Sequence, residues 1–193
     1  VAAMTKPHKC PHGKCAYCPG GPDLGVPQSY TGYEPATMRG IQNDFDPYRQ
    51  VESRLTQLKT IGHSINKVEL IVMGGDWCSK PSEYQQFFVK GCLDAMNGKI
   101  SKTLEQSMKQ NETAANRNVG LTFETRPDWV TRESIDAMLM MGATRVELGV
   151  QTLSEDILET VQRGHGVDAT VNATKLLRDS GLKVCYHMMP GLP

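Results

Sequence analysis

From residue 46 onward, short apolar runs alternate with stretches of helical periodicity, and that alternation restricts the folds open to this chain. Asp46-Pro47 reads as an N-cap followed by proline at the first helical position. Val51, Leu55, Leu58 and Ile61 then recur at helical spacing, and Gly62 ends the helix. Val68–Met73 reads as a buried strand, and Ser82-x-x-Gln85 as a capping box opening a helix with Phe88, Cys92 and Met96 on one side. The polar stretch Asn97–Asn118 carries a marginal helix around Lys102–Gln110. Val119–Thr125 is the next strand. Thr131 caps a helix ending at Gly142, in which the methionines at 138, 140 and 141 serve packing. Arg145–Val150 is a strand, Ser154 caps a short helix, Asp168 caps another with Val171, Leu176 and Leu177, and Lys183–Met188 is the last strand.

Strands that alternate with helices imply parallel pairing through right-handed crossovers. With one more strand before Cys10, five are expected, in an α/β open or partial (β/α) barrel. Met189–Pro193 follows the last strand with no covering helix. A complete eight-fold barrel takes about 250 residues. The expectation is therefore a partial barrel truncated at its C-terminus, with residues 1–193 forming one domain.

Cys10, Cys15 and Cys18 stand in C-x4-C-x2-C spacing. Three thiolates hold three irons of a cubane cluster and leave a fourth iron open to a ligand. The same spacing suits zinc, with His8 or His12 as fourth ligand. On the cysteines alone both readings stand. Prolines and glycines around them (Pro11, Gly13, Pro19, Gly20, Gly21) favour a ligand loop over helix or strand. Lys6, Lys9 and Lys14 offset thiolate charge, meet phosphates or are simply solvated. The stretch Pro19–Pro47 is expected to be mostly irregular, with a short helix near Thr37–Gln42. So long a loop in a compact domain is usually functional, which draws attention to Tyr30, Tyr33, Met38 and Arg39.

Lys plus Arg and Asp plus Glu number 21 each, so net charge neither favours nor disfavours a polyanionic partner. No apolar run approaches a membrane span, and no secretory signal is present. The clustering of three of the six cysteines favours a reducing cytoplasm over a disulfide framework. Cys78, Cys92 and Cys185 are scattered and read as core or helix cysteines, with redox sensing or a second metal as the alternatives.

In (β/α) barrels the active site lies at the C-terminal ends of the strands. Gly74-Gly75-Asp76 follows the second strand, Glu124–Asp128 the third, Gly149-Val150-Gln151 the fourth, and His187 ends the fifth. Each alone has a bland explanation. Together they share a rim with three thiols.

The stretches CPHGKCAYCPGGP, PQSYTGYEPATMRGIQNDFDPY, VELIVMGG, NVGLTFETRPDW, RVELGVQT, RGHGV and HMMPGLP span nearly the whole chain. They closely resemble the radical S-adenosylmethionine domain of the Elongator catalytic-subunit family. That resemblance implies a 4Fe-4S cluster on Cys10, Cys15 and Cys18, with S-adenosylmethionine on the open iron. It implies a backbone contact from Gly74 and Gly75 to the methionine moiety, a ribose contact from Glu124, a polar cofactor contact from Gln151, and an Arg163–carboxylate pair. Arg163 has a second reading as a helix-end arginine near carbonyls. One departure is Gly-Gly-Asp76-Trp77 in place of Gly-Gly-Thr-Phe, which makes Asp76 a candidate for the cofactor amine.

The implied activity is a tRNA uridine acetyltransferase. A 5′-deoxyadenosyl radical takes hydrogen from the acetyl group of acetyl-CoA, and the carbon radical adds to C5 of the wobble uridine. Partners implied are tRNA, acetyl-CoA and other Elongator-type subunits. A tRNA-binding region would precede these residues and an acetyltransferase-like domain would follow them. Lys14 and His187 are candidates for the substrate side, and His187 reads equally as a satisfied strand-end histidine. Rival readings are an oxygen-independent coproporphyrinogen oxidase, which GVQ and RGH also resemble, and a zinc-dependent RNA-binding module.

Overall fold

The computed structural model describes all residues 1–193. Strands β1 (Ala2–Met4), β2 (Lys67–Met73), β3 (Arg117–Thr125), β4 (Arg145–Gln151) and β5 (Lys183–Met188) form one parallel sheet in the order β1-β2-β3-β4-β5. Helices α1 (Pro35–Gln42), α2 (Pro47–Thr60), α3 (Ser82–Asn97), α4 (Leu104–Asn111), α5 (Arg132–Met140), α6 (Glu155–Thr160) and α7 (Val167–Asp179) lie in the connections. This is the partial (β/α) barrel expected from the alternation. Strand order follows chain order because each crossover returns the chain beside the strand it left.

Side-chain period decides where the core sits. On β4, Val146, Leu148 and Val150 are fully buried against the helices, while Glu147, Gly149 and Gln151 alternate onto the other face. Val68, Leu70 and Val72 of β2 and Phe88, Cys92 and Met96 of α3 fill the same helix-side core. Trp77 belongs to it too, stacked on Phe123 with ring centroids 4.5 Å apart. The apolar surface is thus spent on the outside of the sheet, and the inner face is left polar.

β1 is only three residues long, and its outer edge is closed by a side chain. The Gln50 amide, 1% exposed, accepts from the Met4 N–H at 2.8 Å and donates to the Met4 carbonyl at 2.9 Å. Gln50→Leu leaves both backbone groups buried and unpaired, at a cost of about 2 kcal/mol. The expected readout is a lower urea midpoint together with lost hydrogen-exchange protection at Met4.

Local starts and stops match expectation where the cap acts within its own turn. The Asp46 side chain accepts from the Arg49 N–H, and Thr131 and Ser134 form a reciprocal capping box. Two caps differ. Ser82 is the first helical residue of α3, with Pro81 at the cap, and Gln85 donates instead to the Trp77 and Lys80 carbonyls. The cap of α7 is Gly166, not Asp168, because Glu155 of α6 accepts from the Val167 N–H at 2.8 Å. A Cβ at residue 166 would lie 2.8 Å from Glu155 Oε2, so glycine makes room for that long-range cap.

Other differences are small. β3 begins at Arg117, two residues earlier than expected. Met138 and Met141 pack, but Met140 is 78% exposed, and Val171 and Cys185 also face outward. Pro19–Pro47 contains a single 3-10 turn (Pro22–Leu24) and α1, which begins at Pro35. All six cysteines are free, and no helix is long and apolar enough to cross a membrane.

Candidate active site

The C-terminal ends of the five strands open on one cavity of about 240 Å³. The loop after β1 brings Cys10, Cys15 and Cys18 to it, and Gly75, Asp76, Glu124, Gln151, Arg163 and His187 line the rest. Gly74 lies directly behind Gly75. Residues up to 177 positions apart in sequence therefore share one wall. Lys14 does not join them: it is exposed on the outer side of the cysteine loop, because the turn closed by Gly13 N–H to the Cys10 carbonyl directs it away.

The loop after β2 turns sharply. Gly74 and Gly75 have φ of +123° and +86°, the region that favours glycine. A Cβ on Gly74 would lie 2.1 Å from Thr5 Oγ1. Asp76-Trp77 then ties the loop to β3 from both sides. Trp77 enters the core, and its backbone N–H donates to the Glu124 carbonyl at 2.9 Å. Asp76 Oδ1 accepts from Thr125 Oγ1 at 2.6 Å and from the Arg126 N–H at 3.4 Å. Its other oxygen, Oδ2, is buried without a partner, and burial pushes this carboxyl up from its ordinary value.

Arg163 crosses the site from the opposite side. Its Nη2 donates to the Gly149 carbonyl, its Nη1 lies 3.6 Å from Cys15 Sγ, and its Nε is buried with no partner. The carbonyl it meets belongs to β4, so the helix-end reading does not hold for the guanidinium. Gly149 permits this approach, since a Cβ there would lie 2.8 Å from Nη2. Gln151 adopts φ +70° at the end of β4, a strained conformation of the kind that gathers at functional sites.

Glu124 is nine-tenths buried. Its Oε2 accepts from Tyr30 Oη at 2.9 Å and from the Gly74 N–H at 3.3 Å, and desolvation raises its carboxyl. Beside it, His187 Nε2 sits 2.6 Å from Glu147 Oε2. Sequence reading missed Glu147. Its signal was position: two residues before Gly149 and four before Gln151, on the same face of a strand. It also missed Gln28, whose Nε2 donates to Cys18 Sγ at 3.0 Å.

The donor geometry bears on iron versus zinc. The one set of three metal-ligating groups whose donor atoms all lie within 4.8 Å of one another is Glu124, Glu147 and His187. The thiols are more widely spread. A zinc ion with Zn–S near 2.3 Å would draw its sulfurs to roughly 3.8 Å from one another. His12 Nε2 is taken by Arg126 Nη1 at 3.0 Å, which removes that nitrogen as a fourth ligand. Burial and then Arg126 hold this imidazole neutral, with its pKa lowered to about 4. The spread thiols fit a larger group, and the two orphaned charges, Asp76 Oδ2 and Arg163 Nε, suit the ammonium and carboxylate of an amino acid. Burial raises the Cys10 thiol to about 11, so metal uptake there releases a proton at neutral pH.

Lys80, 5% exposed, lies near Asp76 and Cys10, and burial brings its ammonium from the ordinary 10.5 to about 8. Between those values the folded chain binds fewer protons than the unfolded one, so this group makes stability rise with pH. In the cluster-free protein, Lys80→Met is expected to add on the order of 2 kcal/mol below pH 8. The gain shrinks toward zero as pH approaches 10.5. Urea titrations at pH 7 and pH 10 read the difference.

A parallel α/β sheet that gathers a cysteine triplet, a buried aspartate and a buried arginine on its C-terminal rim suits an iron–sulfur enzyme. The family model described as the radical SAM superfamily matches residues 4–193, and the chain belongs to that superfamily. Membership implies a 4Fe-4S cluster and S-adenosylmethionine. Within it, the chain is 57% identical over 196 residues to the tRNA uridine(34) acetyltransferase of Methanocaldococcus infernus, covering 100% of this chain and 37% of that one. It is 46% identical over 201 residues to Elongator complex protein 3 of Bos taurus, covering 100% and 37%. Among solved structures, the M. infernus Elp3 lacking N-terminal residues 1–46 superposes with a TM-score of 0.79 at 53% identity, over 80% of this chain and 36% of that one. The chain spans just over a third of the length of the curated relatives it matches.

Proposed function

We propose that this chain is the radical portion of a tRNA wobble-uridine-modifying enzyme that uses acetyl-CoA to carboxymethylate C5. The observation that carries the reading is identity of 57–58%, over an alignment that covers the entire chain, to archaeal proteins named tRNA uridine(34) acetyltransferase. The 36–37% share of those relatives supports a longer protein, in which an acetyltransferase-like part outside residues 1–193 handles acetyl-CoA. The Elongator name of the animal relatives supports a place for other subunits.

In this reading Cys10, Cys15 and Cys18 hold the cluster. When bound, cluster and S-adenosylmethionine together supply one-electron cleavage that yields a carbon radical. Asp76 Oδ2 would accept from the cofactor amine, and the Arg163 guanidinium would donate to its carboxylate. The Gly74–Gly75 backbone lies against the methionine moiety because no Cβ intervenes. Glu124 accepts from the ribose hydroxyls, with Tyr30 fixing its orientation, and Gln151 adds a polar contact. His187 and Glu147, paired on the same rim, serve the substrate side. Holding reactants in line and excluding water is the protein's contribution.

The test is anaerobic reconstitution with iron and sulfide, then paramagnetic resonance of the reduced protein with and without S-adenosylmethionine. A cubane signal that changes with the cofactor is the expected result. Stoichiometric zinc in place of iron overturns the reading. Retention of porphyrin but not tRNA would overturn the substrate class.

A further inference from the structure

Gln28-Ser29-Tyr30 lies between the cysteine loop and Glu124, and its first residue has no part in the roles above. Gln28 is 7% exposed. Its Nε2 points at Cys18 Sγ, 3.0 Å away, with the Gly20 carbonyl at 3.5 Å. Both neighbours are acceptors once Cys18 is a thiolate, so the amide nitrogen, not its oxygen, belongs there. Ser29 Oγ stands 3.5 Å from the same sulfur.

The local backbone is built for this contact. Ser29 has φ +74°, a strained conformation for a non-glycine residue. The kink sends Gln28 to Cys18 on one side and Tyr30 to Glu124 on the other. Two glycines clear the space: a Cβ on Gly20 would lie 1.8 Å from the Tyr30 carbonyl oxygen, and one on Gly21 3.1 Å from Gln28 Oε1. Donors are unevenly shared among the thiols. Cys15 has the Arg163 Nη1 contact at 3.6 Å, the neighbouring Tyr17 hydroxyl and the His12 ring, whose nearer nitrogen accepts from Arg126. Cys10 has no side-chain donor contact.

Hydrogen bonds to cluster sulfurs are among the levers that set reduction potential. A donor draws negative charge from the sulfur and stabilises the reduced, more negative cluster over the oxidised one. We infer that Gln28 is a positioning residue that acts through the Cys18 thiolate, raising the reduction potential of the cluster and thereby making its reduced state easier to reach. This rests on the radical reading of the site. The buried amide donates one bond to a ligand sulfur and takes part in no bond-breaking step.

The experiment is an anaerobic redox titration, followed by paramagnetic resonance, of the reconstituted wild-type protein, Gln28→Leu and Gln28→Asn. Leucine keeps the bulk and removes the donor. Asparagine withdraws it by one methylene, and reads the effect should Gln28→Leu hold no cluster. The expected result is a tenfold smaller equilibrium constant for reduction in Gln28→Leu, about 59 mV for a one-electron couple, with Gln28→Asn also shifted downward. A purely structural role would lower iron content while leaving the potential of the remaining clusters in place. Equal potentials in all variants that carry cluster overturn the inference and spare the radical reading. A wild-type protein that takes up no cubane overturns both.

Discussion

Cys15→Ala is expected to abolish formation of the 4Fe-4S cluster. The thiol is 5% exposed and faces the site from a loop held by the Ala16 N–H to the Val161 carbonyl at 2.9 Å. With the three protein ligands proposed above, loss of one leaves two irons without a side-chain ligand, and nearby replacements are unsuitable. His12 is committed to Arg126, and Cys78 lies behind Asp76 with its thiol pushed up by burial to about 12. Iron and sulfide content after anaerobic reconstitution should fall from a full cubane to background, and the visible charge-transfer absorbance should vanish. Cys92→Ala is the matching control. Cys92 is wholly buried in α3, away from the cavity, so it should keep its cluster and lose only about 1 kcal/mol of stability to the small void. A brown Cys15→Ala protein with normal iron would overturn the ligand assignment.

Arg126→Met should destabilise the fold by about 3 kcal/mol, a large share of the 5–15 typical of a domain of this kind. Arg126 is 3% exposed. Its Nε and Nη2 grip Asp128 in a fork at 2.9 Å each, Nη2 also donates to the Arg163 carbonyl at 2.9 Å, and Nη1 donates to His12 at 3.0 Å. One guanidinium thus joins β3, the loop after α6 and the cysteine loop. Methionine fills the volume but leaves a carbonyl and an imidazole without a donor. Asp128, a quarter exposed, recovers some hydration, which keeps the cost at the lower end for a broken buried pair. Arg126→Lys keeps the charge without the fork and should recover about half of the loss. Denaturant midpoints at unchanged slope measure both. A change below about 0.5 kcal/mol for Arg126→Met would mean that the network contributes nothing to stability.

Strands, crossovers and most helix boundaries were legible because they rest on periodicity and on caps acting within a few residues. Asp46 and Thr131 cap as expected, since donor and acceptor lie three residues apart. Asp168 fails as a cap because its competitor, Glu155, comes from another helix, and no local pattern records that approach. Ser82 fails because the cap falls one residue earlier, on Pro81, and the Gln85 amide donates to the Trp77 and Lys80 carbonyls. The strand-end residues Gly75, Asp76, Glu124, Gln151 and His187 were legible as site candidates because a parallel sheet places all its C-terminal ends on one rim.

By itself, then, the sequence determined the alternating architecture, the cysteine triplet and the rim on which chemistry collects, all of which follow from spacing along the chain. Only the tertiary structure decided what each rim residue touches. Arg163 meets Cys15 across 148 positions, Arg126 meets His12 across 114, and Tyr30 meets Glu124 across 94. Glycines at 20, 149 and 166 gain their meaning from atoms that approach from elsewhere in the fold. The physical reason is that hydrogen bonds, burial and the resulting charge states depend on distance in space, whereas propensity and periodicity act over only a turn or a pleat.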